Sequence, residues 1–183
     1  MKKPTSGEKK FYYFAYGSCM CPVDLKRTLG ENTHPYVIGP AKLKGYKIGF
    51  YRYSEVRKCG VLDVVKDESS TVEGVLYYLP LRLRDRLDER EDVRFDLVKQ
   101  IHYGTYRPEK VDVFYQDQLF FDVNTYVVVD KLSHELAPND WYFHVVLRGA
   151  TTCGLSEEYC WKLFEHMHNL QHQKKQKKVL AIA

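Results

Sequence analysis

Residues 36–79, YVIGPAKLKGYKIGFYRYSEVRKCGVLDVVKDESSTVEGVLYYL, decide the fold class. Apolar blocks (YVIGP, AKLKGYKIGFYRY, GVLDVV and VEGVLYYL) are separated by turn residues, with KDESST as a polar loop before the last of them. This is strand spacing with hairpin-like connections, because β-branched and aromatic side chains fit a pleated, half-buried surface. Upstream, the short aromatic run FYYFA (11–15) reads as a buried strand, which YGSCMCP interrupts with Gly17, Ser18 and Pro22. After Pro22, VDLKRTLG reads as one short helix, with Asp24 in its first turn, Leu25 and Leu29 at i and i+4, and Gly30 to end it. Downstream, PLRLRDRLDERED predicts a helix over about 80–92, with Pro80 near its start. Strands return at FDLVKQIHY, KVDVFY, QLFFDV and TYVVVD, and LSEEYCWKLFEHMHNLQH predicts a last helix with Ser156 as N-cap and Leu155, Tyr159 and Leu163 on one face. Strands outnumber helices, and the helices are not regularly interleaved. The expected class is therefore α+β, with a mixed, mostly antiparallel, curved or barrel-like sheet and a few flanking helices, rather than a doubly wound parallel sheet.

The 183 residues are 44% hydrophobic and 28% charged, with 11 Gly and 7 Pro, which fits one domain with a full core and excludes disordered and collagen-like chains. Five cysteines are too few, and odd in number, for a disulfide scaffold. The net charge of +4 is carried by the ends: Lys2, Lys3, Lys9 and Lys10 against Glu8, and Lys174, Lys175, Lys177 and Lys178 without an acid, leaving 20 bases against 23 acids between them. The expected layout is a domain over 11–173 with basic flexible tails at 1–10 and 174–183. A four-lysine tail on an acidic body supports neither nucleic-acid nor membrane-surface binding. No stretch approaches 18 consecutive apolar residues, and MKKPTSGEKK lacks an apolar region of secretory type, so the expectation is a cytoplasmic protein with free thiols.

Two features can carry chemistry. The turn after FYYFA places several backbone N–H groups in one concavity, suited to a carboxylate, phosphate or oxyanion, although an ordinary turn explains the pattern alone equally simply. In the 80–92 helix, Leu83 and Leu87 mark an apolar stripe whose next position is Glu91. A carboxylate placed where the fold wants a leucine is either paired or desolvated, and desolvation raises its pKa into the range of general acid–base work; a frayed helix end or an ion pair with Arg94 is the bland alternative for Glu91. Asp85, Asp88 and Glu89 lie among Arg82, Arg84, Arg86 and Arg90, where i, i+4 pairing suffices. Cys19 with Cys21, and His168 with His172, are the only metal-type spacings; the first points its thiols apart on an extended loop and the second lies in a polar stretch, so no metal is expected.

Together these features carry a resemblance. FYYFAYGSCM resembles the YFAYGSNL-type opening of the gamma-glutamylcyclotransferase-like family. VEGVLYYL followed by RLDEREDV is similar to its V-x-G-V-x-Y, then L-D-x-x-E-G-V segment, and the likeness continues through TYVVVD and GATTCGLSEEY over about residues 11–170. It implies that family's fold and its reaction, in which the α-amine of a γ-glutamyl amide attacks the side-chain carbonyl to release 5-oxoproline and an amine or amino acid, without cofactor. It implies Glu91 as general acid–base, Tyr13, Phe14, Ala15, Tyr16, Gly17 and Ser18 as substrate-binding residues, and Tyr126 as a phenolic donor. Two positions depart from the pattern: Cys19 stands for the family's Asn, and Asp92 for the Gly after its Glu. A catalytically idle metabolite-binding protein of the same fold is the alternative. The leaving group is expected to be read by loops within 31–58 and 131–148, and the aromatic strands leave room for a homodimer.

Overall fold

The computed structural model describes residues 7–180. Its centre is a closed five-stranded barrel of β1 (Lys10–Ala15), β2 (Val37–Ser54), β3 (Cys59–Pro80), β6 (Tyr106–Tyr115) and β7 (Gln118–Val128), in the order β1-β3-β2-β6-β7. Every neighbouring pair is antiparallel except β1 and β7, which run parallel and share the single ladder pair Tyr13–Asn124. The blocks of residues 36–79 thus merge into two long strands joined by one hairpin turn. They stay continuous because the turn-forming residues sit at bulges: register shifts fall at Val37/Gly39, Lys44/Tyr46 and Gly49/Arg52, and Gly45 takes φ +79° at the second. Such bulges bend a strand without ending it, which is how a hairpin this long wraps a barrel. The expected loop KDESST is an excursion inside β3, where pairing with β2 passes from Lys66 to Thr71.

β3 is buried on both faces from Val72 to Tyr77. Phe14 and Leu76 share one face and Tyr13 and Tyr77 the other, and the Tyr77 hydroxyl donates to the carbonyls of Cys19 (3.2 Å) and Met20 (3.1 Å) in the 3₁₀ turn Ser18–Met20 after β1. That turn leads directly into α1 (Pro22–Leu29), whose Leu25 and Leu29 are fully buried and which Gly30 ends at φ +73°.

The helix expected over 80–92 is shorter: Pro80 closes β3, Leu81–Leu83 form a 3₁₀ turn, and α2 spans Arg84–Arg90. FDLVKQIHY is not one strand but a two-stranded hairpin of β4 (Phe95–Asp96) and β5 (Ile101–His102), because nothing in the barrel offers it an edge. Within the loop region expected at 131–148, α3 (Asp140–Thr152) begins, with the Asn139 side chain accepting from the Tyr142 N–H at 2.8 Å as its N-cap. α4 (Glu157–Leu180) follows with Ser156 as N-cap (Tyr159 N–H to Ser156 Oγ, 3.2 Å), and the buried Glu73 carboxylate accepts from both the Ser156 N–H and its hydroxyl at 2.8 Å. The segment from Lys174, expected to be a flexible tail, continues α4 as helix to Leu180, as its run of helix-favouring Lys and Gln permits; residues 1–6 and 181–183 of the expected tails lie outside the described residues. Among the described residues no helix is long and apolar enough to cross a membrane.

Candidate functional site

A cavity of about 970 Å³ opens where the β1–α1 turn, the end of α2, the β2–β3 hairpin turn and the start of α3 meet. Of the residues read from the sequence, Tyr13, Tyr16, Gly17, Ser18, Glu91 and Tyr126 line it. Phe14 and Ala15 do not: they are fully buried in the barrel packing, Phe14 beside Gly74, so their contribution is to hold the strand that delivers Tyr13 and Tyr16.

Glu91 is the C-cap of α2, one turn beyond the fully buried Leu87, and its side chain is 15% exposed. Burial lifts its carboxyl above the ordinary carboxylate range, opposed by the neighbouring Arg90, by a hydrogen bond from the Cys19 thiol at 3.4 Å and by Arg57. Arg90 lies 3.5 Å from Glu91 through Nε, while its Nη2 donates to Asp24 at 2.6 Å and to the Ser18 hydroxyl at 2.9 Å. One guanidinium thus joins α2, α1 and the turn around the carboxylate, and Asp24 of α1 is its closer ionic partner. The Arg94 pair considered from sequence does not form with Glu91; Arg94 binds Asp92 at 2.7 Å.

The two departures have distinct structural roles. Cys19 is 5% exposed, and burial pushes its thiol up to about 12, so it faces Glu91 as a neutral donor. Asp92 takes φ +50°, the left-handed conformation in which glycine is unstrained. Its carboxylate turns away from Glu91 to accept from the Thr105 N–H (3.1 Å) and hydroxyl (2.7 Å) and from Arg94. Burial raises the Asp92 carboxyl, and the Thr105 and Arg94 bonds outweigh it to leave a lowered pKa, so Asp92 is an anchoring carboxylate and not a second acid at the site.

The tyrosines divide similarly. The Tyr16 hydroxyl donates to the Tyr126 carbonyl at 2.6 Å, and the Tyr126 hydroxyl donates to Asp88 Oδ1. The phenolic donor expected of Tyr126 is therefore already engaged, and its ring, 5.9 Å from that of Tyr13 edge to face, is wall. Within the turn, the N–H groups of Gly17 and Ser18 have no protein acceptor among the described residues.

The sequence reading missed the outer wall. Arg57, in the β2–β3 turn, donates to the Ser18 hydroxyl at 3.2 Å and lies over the rings of Trp141 (5.0 Å) and Tyr142 (5.3 Å) of α3, with its carbonyl held by Asn139 Nδ2 at 2.8 Å. Tyr142 accepts from the Leu62 N–H (3.2 Å) and Tyr106 donates to the Leu62 carbonyl (2.8 Å), which fixes two more walls. Arg57, Asn139, Trp141 and Tyr142 fall inside the 31–58 and 131–148 windows and Leu62 close to the first, whereas Tyr106 falls outside both; no local pattern in the sequence singles out Arg57 or Trp141. Cys21 does not line the cavity, and His168 and His172 face each other at 3.0 Å on exposed α4; among the described residues no three His, Cys, Asp or Glu side chains converge as a metal site.

The AIG2-like family model matches residues 71–163. "Putative gamma-glutamylcyclotransferase YkqA" of Bacillus subtilis (strain 168) is 33% identical over 166 residues, covering 91% of this chain and 55% of the relative, so the chain spans about half the length of that relative. The crystal structure of YkqA superposes with a TM-score of 0.76 at 34% identity, over 89% of this chain and 56% of YkqA. Two solved structures share the fold at lower identity. A gamma-glutamyl cyclotransferase gives a TM-score of 0.71 at 23% identity, covering 85% of this chain and 86% of its own. A glutathione-specific one from yeast gives 0.56 at 13%, covering 90% and 98%.

Proposed function

Because the chain belongs to the AIG2-like, gamma-glutamylcyclotransferase-like family, we propose that it cyclises a γ-glutamyl amide to 5-oxoproline, releasing an amine or amino acid, with Glu91 as the proton carrier. The observation that supports this most is a desolvated carboxyl of raised pKa at the inner end of a cavity, beside a turn whose Gly17 and Ser18 N–H groups lack protein acceptors. The reaction asks little covalent help of the protein. The nucleophile is the substrate's own α-amine, and folding the glutamyl chain back on itself supplies an effective molarity of about 10⁵–10⁸ M.

Glu91, ionised, takes a proton from the α-ammonium. The freed amine attacks the δ-carbonyl, and the oxyanion or the α-carboxylate rests on the N–H groups of Tyr16, Gly17 and Ser18. As the C–N bond breaks, Glu91 returns that proton to the departing nitrogen, and the second proton, shed by the ring nitrogen on forming the lactam, passes to the released amine, which leaves as an ammonium. The raised pKa suits both halves, since a carboxylate poised nearer neutrality is a better base and then a usable acid. Tyr13, Tyr16 and Tyr126 shape the enclosed end against water.

Release of 5-oxoproline from γ-glutamyl amino acids, peptides and amines tests the reading. Glu91→Gln is expected to lower kcat/KM by about 10²–10⁴ with the fold intact. Full turnover in that variant would remove Glu91 from its role, and tight 5-oxoproline binding without turnover of any amide would favour the idle binder.

A further inference from the structure

Away from the cavity, two side chains are arranged as a ligand set. His168 and His172 stand one turn apart on α4, both exposed, and their Nε2 atoms approach to 3.0 Å with the ring centres 4.2 Å apart. Phe164, one turn earlier, stacks on His168 at 5.6 Å with the planes 13° apart, which fixes the direction of that ring. The facing nitrogens share one proton, one ring donating and the other accepting. With each ring protonated at Nδ1 instead, two lone pairs point at one place, and water satisfies the exposed Nδ1–H groups. The polar sequence around the pair, which weighed against a metal on spacing alone, keeps both rings in solvent. Among the described residues neither ring has a carboxylate partner, in contrast to His166, which Glu135 holds at 2.8 Å.

The separation selects a coordination geometry. Metal–imidazole bonds are about 2.0–2.1 Å long, so two nitrogens on one ion lie about 2.8–3.0 Å apart at a right angle and about 3.3–3.4 Å apart at the tetrahedral angle. The observed 3.0 Å fits the right angle, which belongs to square-planar and tetragonal ions and not to the tetrahedral arrangement of zinc. We propose that His168 and His172 form a surface site for Cu(II) or Ni(II), bound through the two Nε2 atoms in adjacent coordination positions, with water in the others. Because both imidazoles already face one point on one helix, the second binds at a high effective concentration once the first has bound. The ion staples the turn of α4 that carries Gln171, whose Nε2 donates to the Pro138 carbonyl (3.2 Å) and to Asp140 Oδ1 (3.0 Å), and so stiffens the brace between α4 and the start of α3.

Calorimetric titration of the full chain, without an affinity tag, with NiCl₂ and then with CuCl₂ tests the site. Wild type is expected to bind one Ni(II) at least about tenfold more tightly than His172→Gln does, with Cu(II) tighter still and Zn(II) weaker than Cu(II). The double variant His172→Gln/Gln173→His keeps the number of imidazoles but moves one off the shared face, and it is expected to bind as weakly as His172→Gln. Electron paramagnetic resonance of the Cu(II) complex should show splitting from two imidazole nitrogens in wild type and from one in either variant, with the helical circular dichroism of all three proteins unchanged. Equal affinity in the three proteins, or fewer than two coordinated imidazoles on Cu(II) in wild type, overturns the site.

Discussion

An ionised carboxylate at position 91 is an unfavourable guest in its surroundings, and this gives it both a reactivity and a cost. Its pKa is raised in the folded chain, so the native state binds the proton more tightly than the unfolded one. Glu91 therefore lowers stability as pH rises through the interval between its unfolded and folded values, and the full penalty is present above the folded value. Glu91→Gln should melt at a higher temperature than wild type at neutral pH, with the gap closing as pH falls below that interval; a gap that widened on acidification would contradict the desolvation account. The Cys19 thiol favours the ionised form by donating to it. Cys19→Ala should then move the acid limb of the kcat/KM profile to higher pH, whereas an unmoved limb would mean that the thiol does not face the working carboxylate. Glu91 was legible because two leucines one turn apart predicted its direction. Arg57 was not, because its role comes from Ser18 and Trp141, distant in sequence and brought together only by the fold.

Elements show the same division between local and tertiary causes. β1, α1, α2 and the first part of α4 follow from apolar spacing and caps that a single chain displays. α3 does not: DWYFHVVLRGATT is dense in aromatic and β-branched residues, which read as strand or loop, and what makes it a helix is the Asn139 cap and packing on the Ser18–Met20 turn. Gly149 is the point of closest approach, where an added Cβ would lie 2.7 Å from the Cys21 nitrogen and 2.9 Å from Met20 Cβ. In an exposed helix Gly→Ala stabilises by about 1 kcal/mol. Here backbone must move, so Gly149→Ala should destabilise by about 1–3 kcal/mol in chemical denaturation and reduce turnover by displacing the turn. A stabilised, fully active variant would show that α3 does not set the position of Ser18. The reverse misreading at FDLVKQIHY has the matching cause: strand-like residues without a sheet edge to join give only a four-residue ladder.

At the scale of the whole molecule, a curved or barrel-like sheet was legible because strands outnumber helices that are not regularly interleaved, but which strands meet at the seam was not. The seam between β1 and β7 has one ladder pair, and side chains supply the rest: Asn124 Nδ2 donates to the Tyr12 carbonyl (3.2 Å), the Thr125 hydroxyl to that of Phe14 (2.9 Å) and Tyr16 to that of Tyr126 (2.6 Å). This accounts for two polar residues, Asn124 and Thr125, at 2% and 0% exposure. Thr125→Val, nearly isosteric, leaves a buried carbonyl unpaired and should cost about 1–3 kcal/mol, read as a lower Tm with an unchanged m-value. These seam bonds join residues 110–112 apart in sequence, and three of the cavity's tyrosines, Tyr13, Tyr16 and Tyr126, stand on them. Long-range closure of this kind comes late on a folding pathway, after the chain entropy of the intervening loop has been lost. Recovery of the proposed 5-oxoproline release during refolding should accordingly lag behind the return of β-sheet circular dichroism, making that proposed activity a clock for the last event in folding.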